Sequence, residues 1–126
     1  MKNKIKIIVT VRDASSANDL SCVIPCLVNH NQLSVRVIAQ EPAYSILKKV
    51  LYSDISIDSI GSVDELGHEA IENLFKKVFL SFKPDCILTG ISGPDYGIDE
   101  IALGICSSYD SINTFSIQSY WGDLNN

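Results

Sequence analysis

The chain has 126 residues, enough for one domain with its own core and no need of disulfide or metal staples. Hydrophobic residues make up 46% and charged residues 20%, which excludes a disordered chain. With 15 acidic residues against 10 basic ones the formal net charge is -5, a poor balance for gripping a nucleic-acid backbone.

Residues 5–11 form a β-branched run with little polar alternation. Such a run predicts a strand buried on both faces, as in a parallel sheet. A polar loop is expected next, from Arg12 and Asp13 through Ser15, Ser16 and Asn18 to Asp19. A helix follows, with Leu20, Val23, Ile24, Leu27 and Val28 at helical spacing. Pro25 lies inside it and predicts a kink, or a true helix start near Val23. Residues 33–39 make the second strand. Pro42 suits the first turn of a second helix, whose core face is Ala43, Ile46, Leu47, Val50 and Leu51. Residues 54–60 make a short third strand. Ser62 and Glu65 have the form of a capping box and open the longest helix, with Leu66, Ala70, Leu74, Val78 and Phe82 toward the core. Pro84 and Asp85 stop it. Residues 86–88 are the fourth strand. Ile98, Ile101, Ala102 and Ile105 mark a fourth helix, and residues 114–117 a fifth strand.

Strands and helices thus alternate along the whole chain. That order predicts an α/β fold, a three-layer doubly wound (Rossmann-like) sheet of five parallel strands, with strand order 3-2-1-4-5. With no repeat, low-complexity segment or linker, residues 1–126 are expected to be a single domain.

In an open α/β sheet the ligand binds beyond the carboxyl ends of the strands, where the strand order reverses. That point lies between the first and fourth strands here. The two loops that meet there are residues 12–19 and 90–100, the most polar in the chain. The second contains Gly90, Ser92, Gly93, Asp95, Tyr96, Gly97, Asp99 and Glu100. Its three glycines allow a close backbone approach to a ligand, and it feeds a helix N-terminus that favours an anion. The acidic residues at that end offset the helix dipole and suit sugar hydroxyls or a hard cation better than a bare phosphate. A tight turn with a helix cap explains the loop equally well. Arg12 is suited to a bidentate grip on phosphate or carboxylate. Asp13 could orient a hydroxyl, hold a metal or act as a base. A solvated loop that caps the following helix is the plainer reading of that segment. The first loop has no glycine, so it is neither a dinucleotide fingerprint nor a P-loop. Trp121 could stack on a ligand ring or close the core.

Other candidates point to less. Cys22, Cys26, Cys86 and Cys106 show no zinc-type spacing and are expected to be small buried hydrophobes, as suits a reducing cytoplasm. His30 and His68 have no nucleophile at a telling spacing. Lys2, Lys4 and Lys6 and the pairs Lys48-Lys49 and Lys76-Lys77 fit solvated faces. No stretch reaches the length of a membrane span, and the sequence calls for no metal and no cofactor.

Two families share features with the chain. Its layout resembles the N-terminal half of GT-B-fold glycosyltransferases and UDP-N-acetylglucosamine 2-epimerases. The likeness rests on the run from Ser21 through Pro25 to Leu27 with the strand at 33–39. It rests also on Lys83-Pro84-Asp85-Cys86-Ile87-Leu88-Thr89-Gly90 and on Ser116-Ile117-Gln118-Ser119-Tyr120-Trp121. The family's Gly-His ahead of the proline falls on Ser21-Cys22, and its glycine-rich first loop has no counterpart. The resemblance implies the acceptor-side half of a glycosyltransferase-like protein, acting with a partner chain or as an oligomer. Arg12, Ser15, Ser16, Asn18, Gly90, Ser92, Gly93, Tyr96, Gly97, Glu100 and Trp121 would then line a sugar or nucleotide-type ligand. Asp13 or Asp95 would be the base for an acceptor hydroxyl. Residues 84–99 are also similar to the signature of the stationary-phase survival 5′-nucleotidases. That likeness implies a metal-dependent phosphohydrolase using Asp13 and Asp95, although one metal-binding aspartate position is Arg12 here and the signature's asparagine is Ser92. A non-catalytic interaction or regulatory domain is the third reading.

Overall fold

The computed structural model describes residues 4–51, 55–60, 67–90, 98–107 and 112–117. In chain order the elements are β1 (Ile5–Val11), α1 (Ala14–Val28), β2 (Leu33–Ala39), α2 (Ala43–Val50) and β3 (Ile57–Ser59). They continue with α3 (His68–Phe82), β4 (Cys86–Gly90), α4 (Ile98–Cys106) and β5 (Asn113–Ile117). The strands form one parallel sheet in the order β3-β2-β1-β4-β5, as the alternation of elements predicts.

The β-branched run of β1 takes the centre because both its faces need cover. Val9 and Val11 face α1 and α2, where Ala17, Leu20, Ile24, Ala43 and Leu47 close over them. Ile8 faces the other way and packs with Ile38 and Ile87 against Ile71, Phe75, Ile98, Ile101 and Ile105 of α3 and α4. The result is the three-layer arrangement. Asp85 fixes how β4 enters it. Its Oδ2 accepts the Lys6 N–H at 2.8 Å, and its own N–H donates to the Lys6 carbonyl at 2.8 Å. The Pro84-Asp85 step therefore ends α3 and also sets the register of β4 on β1.

Several local expectations need correction. Residues 14–19 are helical and not a loop: α1 begins at Ala14 and runs through Pro25. Asp13 supplies the extended residue ahead of the helix, and burial of Ser16 and Ala17 on the sheet holds the first turns. Proline removes only one rung, and the Asn29 N–H still reaches the Pro25 carbonyl at 3.0 Å. Pro42 is the N-cap of α2 and not its first residue. Glu41 satisfies that end, accepting the Ser45 N–H at 3.0 Å and the Ser45 hydroxyl at 2.7 Å. These bonds hold the Glu41 carboxyl below its ordinary range. Val50 is 58% exposed and leaves the expected core face of α2.

On α3 the buried side chains are Ile71, Phe75 and Phe79, while Ala70 and Leu74 face outward. Phe75 and Phe79 meet edge to face, with ring centroids 6.3 Å apart. Gly67 takes φ +85° ahead of this helix, a conformation open to glycine. The expected capping residues Ser62 and Glu65, and Leu66, lie outside the described residues. Thr89 and Gly90 belong to β4, paired with Ser116 and Ile117 of β5. Among the described residues no helix is long and apolar enough to cross a membrane.

Candidate functional site

The strand order reverses between β1 and β4, so the carboxyl ends of these two strands mark the position where an open α/β sheet takes its ligand. On the β1 side the backbone is pinned. The Val11 carbonyl accepts the Gln40 N–H at 3.0 Å and the Arg12 carbonyl accepts the Ala43 N–H at 3.0 Å. Arg12 thus leaves the sheet at a fixed angle. Its Nη2 lies 3.3 Å from Asp13 Oδ1, and only 18% and 17% of the two side chains are exposed. The Asp13 side chain makes no capping hydrogen bond to α1 and turns to Arg12, while the Asp13 carbonyl accepts the Ala17 N–H. The guanidinium, the N-terminal turn of α1 and the Asp13 carboxylate therefore share one spot. The first two attract an anion. Asp13 orients the arginine.

Ser15 and Ser16 belong to the first turn of α1. Ser15 is partly exposed, whereas Ser16 is fully buried. Ser16 lies against Gly90: a Cβ on Gly90 would stand 2.6 Å from both Cβ and Oγ of Ser16. The close approach that this glycine permits is made by α1. Asn18 is exposed one turn farther along, and its carbonyl accepts the Ser21 hydroxyl at 2.7 Å. The structure thus brings Arg12, Asp13, Ser15, Ser16 and Gly90 together and carries Asn18 away from them. Ser92, Gly93, Asp95, Tyr96, Gly97 and Trp121 lie outside the described residues, as does the side chain of Glu100, whose backbone is in α4.

Sequence reasoning missed one supporting residue, Thr10, and the tertiary partner of another, Asp99. Thr10 and Asp99 are both fully buried, and the Thr10 hydroxyl donates to Asp99 Oδ1 at 2.5 Å. The bond ties the end of β1 to the start of α4. Asp99 Oδ2 would also lie 3.7 Å from a Cβ on Gly90. A carboxylate in the first turn of α4 complements the helix dipole. Beside this pair, the Thr89 and Ser116 hydroxyls lie 3.1 Å apart and link β4 to β5. The signal for Thr10 was its place as the one hydroxyl in an aliphatic run. No group of three or more His, Cys, Asp or Glu side chains suited to a metal gathers among the described residues.

A doubly wound parallel sheet whose strand order reverses between β1 and β4 defines the class of protein: a Rossmann-like α/β domain. No family model matches the sequence. No curated protein matches it either. Solved structures do. The chain is similar to the UDP-GlcNAc 2-epimerase of Neisseria meningitidis bound to UDP-GlcNAc, with TM-score 0.63 and 21% identity over 87% of this chain and 31% of that one. It is similar to a Listeria monocytogenes protein assigned as a UDP-N-acetylglucosamine 2-epimerase, with TM-score 0.66 and 16% identity over 90% of this chain and 30% of that one. A further UDP-N-acetylglucosamine 2-epimerase matches with TM-score 0.58 and 11% identity, over 91% and 33% of the two chains. At these identities the likeness establishes the fold, which is consistent with an N-terminal domain of that type. The chain spans about a third of the length of these enzymes.

Proposed function

We propose that the chain is a nucleotide-sugar-related α/β domain, the acceptor-side half of a glycosyltransferase-like protein that acts with a partner chain. One observation carries this reading. Arg12 and Asp13 stand at the strand-order break, beside the N-terminus of α1, where an anionic group is attracted from two directions. In this reading Arg12 grips a phosphate of the ligand, Ser15 contributes a hydroxyl, and Ser16 and Gly90 hold the wall of the crevice. Asp13 or Asp95 takes the proton of an acceptor hydroxyl. The solved structures with this fold support the choice of ligand, since one of them holds UDP-GlcNAc.

Calorimetric titration of the chain with UDP-GlcNAc, UDP and uridine tests the reading, alone and with any co-purifying chain. UDP-GlcNAc and UDP are expected to bind and uridine to bind far more weakly. Arg12→Ala is expected to lose about tenfold or more in affinity, the value of one charge-assisted contact of about 1.5–3 kcal/mol, while the melting temperature without ligand stays close to that of the parent chain. Binding that ignores the phosphates, or that survives Arg12→Ala unchanged, would sink the assignment. Magnesium-dependent release of phosphate from nucleotides would replace it with the phosphohydrolase.

A further inference from the structure

We propose that α1 carries a two-sulfur site for a soft monovalent cation of the copper(I) class, formed by Cys22 and Cys26. Both cysteines are free and exposed, contrary to the expectation that they serve as buried hydrophobes. They stand four residues apart on one helix, so their side chains rise from the same face one turn apart. The Cys26 thiol donates to the Cys22 backbone carbonyl at 3.7 Å, which places Cys26 Sγ over the turn that carries Cys22. Helix neighbours at this spacing keep their Cβ atoms about 5–6 Å apart. A disulfide needs about 3.5–4.5 Å. The gap is too wide for a direct sulfur–sulfur bond in an intact helix and suits one bridging atom.

The donor set selects the ion. Thiolates are soft ligands and favour copper(I) over hard cations. Structural zinc takes four ligands, and no third side chain of that kind gathers here among the described residues. Two sulfurs alone suit a closed-shell monovalent ion with low coordination. No lysine, arginine or histidine lies in α1 to repel a cation, and Asp19 is exposed three residues before Cys22. Pro25, between the two cysteines, lacks the N–H that would bond the Ser21 carbonyl. On binding, two S–H bonds break, two copper–sulfur bonds form and two protons leave, with no change in oxidation state. Ser16, Ala17, Leu20 and Ile24, which hold α1 to the sheet, lie on its buried side. The site is therefore separate from the crevice at Arg12.

Anaerobic titration with copper(I) against a chromogenic chelator tests the proposal. The parent chain is expected to take one ion per chain, more tightly as pH rises, with an affinity independent of protein concentration. Cys22→Ser and Cys26→Ser are each expected to weaken binding by about tenfold or more, while circular dichroism shows the helices retained. Cys86→Ser is expected to change nothing, since Cys86 lies on β4. The proposal is overturned if the parent chain takes no ion from the chelator, or if either α1 variant holds it as tightly as the parent. It is overturned also if Cys86→Ser abolishes binding, or if one ion requires two chains.

Discussion

Gly90 decides how closely α1 can approach β4. Its Cα faces Ser16, and an added Cβ would sit 2.6 Å from Ser16 Cβ, an atom held rigidly by the helix backbone. Gly90→Ala is therefore expected to push the first turn of α1 off the sheet, at a cost of about 1–3 kcal/mol. Ser16→Gly removes both offending atoms and should itself cost about 0.5–1 kcal/mol. Urea unfolding of the double variant should recover most of what Gly90→Ala loses, a coupling that distant sites do not show. Equal midpoints for Gly90→Ala and the parent chain would contradict the contact. The Thr10–Asp99 bond makes a matching case. Thr10→Val keeps the shape and removes a donor from a buried carboxylate, with an expected loss of about 1.5–3 kcal/mol. Thr10→Ser, which keeps the hydroxyl, should lose less. Asp99 was legible in the sequence as an acid at the head of the fourth helix, and Thr10 only as part of the first strand. Their meeting was not, because it spans 89 positions and depends on β1 and α4 being neighbours.

Burial acts on Cys106 in a way that pH reveals. It pushes the thiol up to about 11. In the unfolded chain a thiol titrates near 8.5. Between those values the folded chain keeps a proton that the unfolded chain has lost, so stability falls as pH rises through that window and is intact below it. Cys86 is raised as well, by burial first and by the nearby Asp85 charge second, and adds to the same slope. The urea midpoint should therefore drop on the alkaline side, and less steeply in Cys106→Ala. An unchanged slope in that variant would remove Cys106 from the account.

At the scale of elements, α3 begins at His68 behind Gly67, later than the expected capping box at Ser62, and turns a different stripe to the core. Its apolar residues fall on two adjacent stripes, Ala70-Leu74-Val78 and Ile71-Phe75-Phe79, offset by one residue or about 100°. Periodicity alone cannot rank such stripes. The aromatic stripe wins because it has more area to remove from water. Leu74 remains 41% exposed and Leu80 68%. Phe75→Ala should cost about 3–5 kcal/mol, and Leu74→Ala less than about 1 kcal/mol. A larger loss at Leu74 in urea unfolding would mean that the helix is rotated. No such ambiguity arose for β1, where residues on both faces are aliphatic, or for α4, where Ile98, Ile101, Ala102 and Ile105 are all buried as their spacing predicts. The start of α1 was hidden for a different reason. Ser15, Ser16, Asn18 and Asp19 favour loops and caps by propensity, and only tertiary burial of Ser16 and Ala17 makes them helical.

For the whole molecule, the strand order links stability to the crevice. It could be inferred from the alternation of elements and the length of the aliphatic run at the N-terminus, because a strand with two apolar faces belongs at the centre of a sheet. β1 pairs with β2 along Ile5 to Val11 and with β4 from Ile7 to Thr10, and its inner residues have no exposed side. β3 has three residues, and β5 is exposed along most of its length, with Phe115 57% exposed. Amide exchange should follow that gradient: β1 amides should open only with global unfolding, and those of β3 and β5 through local opening. The crevice stands on the stable end of this gradient. Val11 and Arg12, which leave β1 at its carboxyl end, accept the Gln40 and Ala43 amides. Those two amides should exchange nearly as slowly as β1 itself, although they lie outside any strand. In the proposed function, a rigid floor would let Arg12 meet a phosphate without ordering a loop first, so that more of the contact energy would appear as affinity. Added UDP-GlcNAc should then slow the first-turn amides of α1 and leave β5 unchanged. Exchange at Gln40 and Ala43 as fast as in β5 would mean that the floor is not rigid, and the grip assigned to Arg12 would have to come from a partner chain instead.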